Sequence, residues 1–239
     1  SDMKTLRSSL CRTLMALTLL GAAFCGHTQT PSNDALLRLQ KARIGVIQGS
    51  AHDTYAQKNL PHAQIFQFVS VSDLVLAVET GRVDAGINDE EGLRVLLKEK
   101  PDLRALGPSL FEARVGAGFR QDNNPLRLQF NAFVDHIKAD GTWQDMVQRW
   151  TQQNRYDMPD IPLKADAPPL RVGNAIIGLP LVAIKEGKLT GFEVEMATRF
   201  AAHIGRRPVW NTVDWNALIP ALASGKIEVI ISSMYITPE

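Results

Sequence analysis

Twice along this chain an apolar, helix-like run stops at a glycine and passes directly into a β-type run: LAVETGRVDA from Leu76 and LIPALASGKIEV from Leu218. A glycine ends a helix by taking the left-handed conformation that a side chain resists, so Gly81 and Gly225 read as helix stops. A helix that feeds a strand within two or three residues is one half of a crossover unit, and two such units commit the chain to layers of helix on a largely parallel sheet. The fold class is therefore α/β. Matching apolar runs predict strands at 43–48, 64–69, 85–88, 114–119, 170–173, 208–213 and 228–232, with helices filling most of the gaps. Ser72 is the expected cap of a helix over 71–80, and Asp214 of one over 215–224. Further helices are expected at 125–138 and 143–150, separated by a turn at Asp140 and Gly141.

The remaining features narrow the function classes. With 26 basic and 25 acidic residues the formal charge is +1, without a basic run for nucleic acid. The five histidines lack metal-ligand spacing, and Walker loop, nucleophile elbow and CxxC are absent from the sequence, so neither a cofactor nor a catalytic residue is expected. Lys4, Arg7 and Arg12 precede an apolar run from Leu14 to Phe24 that closes on Gly21, Ala22 and Ala23, the pattern of a secretory leader. Residues 1–26 are thus read as a tag remnant (Ser1 and Asp2 before Met3) plus a signal peptide, which predicts a periplasmic protein. Cys25 raises lipid anchoring as an alternative, against which stands the bulky Phe24 before it. Pro159, Pro162, Pro168 and Pro169 mark 156–169 as an extended linker.

On either side of that linker the residues resemble the periplasmic polar amino-acid-binding proteins of ABC importers, solute-binding protein family 3. LRVG from Leu170, GKLTGFEVEMA from Gly187, LIPAL from Leu218, SGKI from Ser224 and ISSMYITPE from Ile231 match the start of such a protein. RIGVIQGS from Arg43, GRVDAGIND from Gly81, FNAF from Phe130 and ADGTW from Ala139 match its later half. The order is inverted relative to the family, as in a circular permutation or at the seam of a tandem array. The resemblance implies a two-lobed venus-flytrap fold, permuted and lacking one crossover segment, with 40–107 as lobe 2, and 108–155 and 170–239 as the two parts of lobe 1.

The resemblance also assigns the binding residues. The loop at Gly49, Ser50 and Ala51 would hold the ligand carboxylate at a helix start, and Asp89 its ammonium group. A bare helix cap is the plainer role for Asp89. Asn174, Ser232, Ser233 and Tyr235 would complete the pocket. Tyr235 stands where a small residue is usual and would partly fill it, Ala51 replaces a hydroxyl residue, and the family's clamp arginine would follow Glu239. The four tryptophans are expected in packing. Implied partners are a small amino acid and an ABC importer permease, with a segment-exchanged homo-oligomer as a further expectation. Three alternatives stand beside this reading: a sensor module of a tandem receptor, a cyclohexadienyl-dehydratase-like enzyme using Glu90 or Glu112 as general acid, and a recombined protein that binds nothing tightly.

Overall fold

The computed structural model describes residues 37–236, so the leader, both cysteines and Glu239 lie outside the described residues. Two sheets organise the chain. The first is parallel and three-stranded, ordered β2-β1-β3, from β1 (Arg43–Ile47), β2 (Gln64–Phe68) and β3 (Ala85–Gly86). Helices α1 (Ala51–Asn59), α2 (Val71–Glu79) and α3 (Glu90–Glu99) alternate with these strands. Strand β1 is apolar on both faces because both are covered: Ile44 and Val46 meet Ala56 of α1 and Leu60 just past its end, while the cluster of Ile47, Phe68, Leu74 and Ala77 fills the side of α2. Gly45 permits that approach, for a Cβ there would lie 2.3 Å from Leu74 Cδ1.

Helix α2 ends at Gly81 in the left-handed region, φ +70°, as expected. Its cap is Ser70 rather than Ser72. Ser70 is the last extended residue, and its hydroxyl accepts the Asp73 amide at 3.1 Å, whereas Ser72 already sits inside the first turn.

The second sheet is ordered β4-β9-β5-β8, from β4 (Val115–Gly118), β5 (Pro169–Asn174), β8 (Arg207–Thr212) and β9 (Val229–Tyr235). Three strands run parallel, and β4, far earlier in the chain, joins β9 antiparallel. Helices α4 (Asn124–Ala139) and α5 (Thr142–Val147) lead into a π-turn at Gln148–Gln152, which splits the helix expected over 143–150. They pack with α6 (Phe192–His203) through Phe130, Phe133, Trp150 and Phe200, the rings of Phe130 and Phe200 meeting edge to face at 5.0 Å. On the other face, α7 (Leu218–Ala223), preceded by a 3-10 turn at Trp215–Ala217, covers Ile227 and Ile230. Asp214 holds the cap position there without a side-chain bond, and Gly225 ends the helix at φ +77°. A hairpin of β6 (Ala183–Lys185) and β7 (Lys188–Thr190) was not foreseen, since three-residue strands show no alternation. The proline-rich segment has neither helix nor strand up to Pro168 and makes a turn where the Ala167 amide donates to the Lys164 carbonyl at 3.1 Å; Tyr156 and Met158 dock on the core, and Pro169 opens β5.

What fixes α5 and the π-turn to α6 is one carboxylate. Glu195, fully buried, accepts Arg149 Nη2 at 2.7 Å, Trp150 Nε1 at 2.6 Å and Arg199 Nε at 2.9 Å. Removing one partner of a buried ionic cluster strands the other charges away from water. Glu195→Ala should therefore destabilise the fold by about 3 kcal/mol, read as a lower urea midpoint, while an exposed control such as Glu112→Ala should leave the midpoint within experimental error.

Candidate functional site

A cleft of about 40 Å³ lies between the two sheets. Its walls come from the end of β1 and the start of α1, from the turn before α3, and from the end of β9, which is where parallel strands present their carboxyl ends. Of the seven residues assigned from sequence, Ser50, Ala51, Asp89, Ser233 and Tyr235 line it. Asn174 and Ser232 do not. Ser232 is buried on β9, where its hydroxyl accepts the Ala175 amide at 3.0 Å, whereas its neighbour Ser233, at φ +49° where the β4–β9 register shifts, lines the cleft. Asn174 is buried and accepts the Thr212 hydroxyl at 2.8 Å.

At the start of α1, Gly49 takes φ +73° and Ser50 caps the helix by accepting the Asp53 amide at 3.2 Å. The first helical amides have no partner inside the helix, which makes this end attractive to an anion. Asp53 tempers that attraction: its carboxylate accepts the Gly49 amide at 3.0 Å and Gln67 Nε2 at 2.7 Å.

Asp89 occupies the cap position of α3 but makes no capping bond, so its carboxylate is not spent on the helix. It accepts the Tyr235 hydroxyl instead, across the cleft. His52, a residue sequence reasoning passed over, stands with Nε2 at 3.6 Å from Asp89 and 3.4 Å from the Tyr235 oxygen. Burial holds the His52 pKa below its ordinary value against the pull of Asp89, so the imidazole is neutral at pH 7. Burial, reinforced by the Asp89 bond and charge, raises that of Tyr235. Phe111, also unforeseen, packs against both: its ring lies 5.8 Å from that of His52, meets Tyr235 edge-on at 5.9 Å and stacks on Tyr55 at 4.8 Å. Trp215 departs from a pure packing role, for it lines the cleft and donates Nε1 to the Gly49 carbonyl at 3.4 Å. Glu90 and Glu112, the acids a dehydratase would need, are both exposed and outside the lining. Among the described residues, no group of three or more His, Cys, Asp or Glu could hold a metal ion, and no helix is long and apolar enough to cross a membrane.

Behind the cleft wall lies Glu193, buried at the start of α6. Its Oε1 accepts both the amide of Ser233 at 2.6 Å and its hydroxyl at 3.0 Å, and Oε2 has no partner. These bonds hold Ser233 at φ +49° and engage the hydroxyl that the sequence reading gave to a ligand. Loss of hydration outweighs the two bonds, and with the nearby Asp89 charge it pushes Glu193 up to about 7.

With this geometry in view, residues 170–239 match the family model of bacterial extracellular solute-binding proteins, family 3. ABC transporter arginine-binding protein 1 of Escherichia coli is 29% identical over 120 residues, 48% of this chain and 49% of that protein. The probable histidine-binding protein of Campylobacter jejuni is 40% identical over 70 residues, 29% of this chain and 27% of that one. A solved ancestral arginine-binding protein bound to arginine is 39% identical over 29% of this chain and 31% of its own, with a TM-score of 0.29. The chain spans about half the length of the first of these relatives. These relatives are binding proteins rather than enzymes.

A carboxyl whose folded pKa lies above its unfolded value favours the protonated state, so its contribution to stability is greatest below about pH 4.5 and falls as pH rises to about 7. Glu193→Gln keeps the shape and removes the titration. Relative to the unsubstituted protein, the variant should gain on the order of 3 kcal/mol between pH 4.5 and pH 8, measured by urea unfolding at both; a difference that does not change with pH would contradict the assignment.

Proposed function

We propose that the cleft captures a polar amino acid or similar small zwitterion in the periplasm and hands it to the permease of an ABC importer. The observation that supports this is the placing of Asp89 opposite the start of α1, with Ser50 and Ala51, across one narrow cleft. An ammonium group pairs with the Asp89 carboxylate, and a carboxylate is received by the free amides at the first turn of α1. The two sheets act as lobes. Among the described residues the chain crosses between them once, between α3 and β4, and the lobes also touch through Asn216 Nδ2 on Gln48 Oε1 at 3.1 Å and Arg94 Nη1 on Asn154 Oδ1 at 2.7 Å. At about 40 Å³ the closed cleft has room for roughly three waters. Entry of an amino acid therefore requires the lobes to part and re-close around it, the motion by which a permease reads a loaded carrier.

In this reading 40–107 is lobe 2, while 108–155 and 170–239 together build lobe 1 in permuted order, and a segment exchange between copies would supply the missing crossover. The antiparallel joining of β4 to β9 supports a shared lobe 1. The segment order favours one second reading, the seam of a tandem array, in which the chain belongs to a ligand sensor.

The test is a thermal-shift screen of the chain against the twenty amino acids, beginning with arginine and histidine, for which the relatives are named. A ligand at 100 times its Kd should raise the midpoint by roughly 5–10 °C, and Asp89→Ala should abolish the rise. A flat profile with every amino acid would overturn the proposal.

A further inference from the structure

Asp89 and Tyr235 come from different lobes and meet across the cleft. The phenol reaches Asp89 because its ring is held on two sides: edge-on to His52 at 5.6 Å and to Phe111 at 5.9 Å. Phe111 belongs to the segment that crosses between the lobes, and its own position is set by stacking on Tyr55 of α1. The Tyr235 oxygen therefore stands on the one carboxylate that lines the cleft, where a ligand's ammonium group would stand.

We propose that Tyr235 is a tethered competitor for the ammonium position on Asp89, and so the residue that decides which molecules the cleft admits. This rests on the reading of the cleft as an amino-acid site. To bind, a ligand must replace a neutral hydroxyl donor that the fold has already delivered. A second neutral hydroxyl gains nothing by the exchange, whereas an ammonium group makes the stronger, charge-assisted bond. His52 does not soften this selection, because as a neutral imidazole it leaves the Asp89 charge uncompensated. Among the described residues lining the cleft there is no lysine or arginine to draw a ligand in by its anionic end. The admitted class is small primary ammonium compounds, selected by that end, with the carboxylate secondary. Displacing Tyr235 also removes a bond between the lobes, which couples ligand entry to opening.

The experiment is calorimetric titration of the full chain and of Tyr235→Phe, which keeps the ring and removes the hydroxyl. The probes are the twenty amino acids, with ethanolamine and acetate as single-pole controls. The expected result is that an amino acid, and ethanolamine with it, binds Tyr235→Phe about tenfold to a hundredfold more tightly than the unsubstituted chain, because a hydrogen bond to a charged group no longer has to be broken, with acetate unchanged. If the unsubstituted chain binds an amino acid and Tyr235→Phe binds it no more tightly, Tyr235 is a contact or a bystander, and this inference fails while the binding role stands. If the unsubstituted chain, Tyr235→Phe and the roomier Tyr235→Ser all bind nothing, the cleft is not an amino-acid site and both fall.

Discussion

The whole arrangement depends on the burial of Glu195. A carboxylate removed from water must be met by donors, and those it finds, Arg149 and Trp150 on one side and Arg199 of its own helix on the other, belong to parts of the chain separated by the proline-rich segment. Satisfying that charge selects the face on which α5 and the π-turn dock against α6. Once they are docked, Phe130, Phe133 and Trp150 fill the space above the sheet, and β4 falls alongside the free edge of β9. Since β9 ends in Ser233 and Tyr235, the same constraint that assembles the lobe also positions a wall of the cleft.

The cleft inherits its electrostatics from this packing. Glu193 occupies the turn of α6 that leads to Glu195 and accepts both donors of Ser233, so the ionic centre of the lobe and the cleft wall are two faces of one helix turn. Around the cleft the described charges are acidic or uncharged: Asp89, the buried Glu193 behind Ser233, and a neutral His52. The polar groups are largely satisfied by one another, with the Tyr235 hydroxyl on Asp89 and the Asp53 carboxylate on Gly49. In the proposed binding role, a site so arranged is specific by competition: what enters must offer a better partner than the protein already supplies.

Much of this was readable along the chain, and the limits have a physical pattern. Features set by a residue's own neighbours were legible: the glycine stops at Gly81 and Gly225, the strand cores and the helix start that follows Gly49. Where two local choices lay one residue apart, only the backbone decides, and Ser70 rather than Ser72 caps α2 because it is the last extended residue. On β9 the backbone decides similarly, for Ser233 leaves the extended conformation at φ +49° and lines the cleft while Ser232 stays buried against Ala175. Features made by long-range meetings were not legible. His52 is one residue past the loop singled out from sequence, yet nothing local says that Tyr235, 183 positions away, comes to rest beside it. Glu193 sits inside a recognised motif, but its role appears only once β9 is laid against α6.

The most direct test of the account is native-state amide exchange, read at the Trp150 indole N–H and at the backbone amides of β4, β5 and β9. If burial of Glu195 makes one lobe of two distant parts of the chain, all of these protons exchange through a single opening reaction with a common free energy. Fast exchange at β4 and Trp150 beside slow exchange at β5 and β9 would show that the earlier part is only loosely attached, and would contradict it.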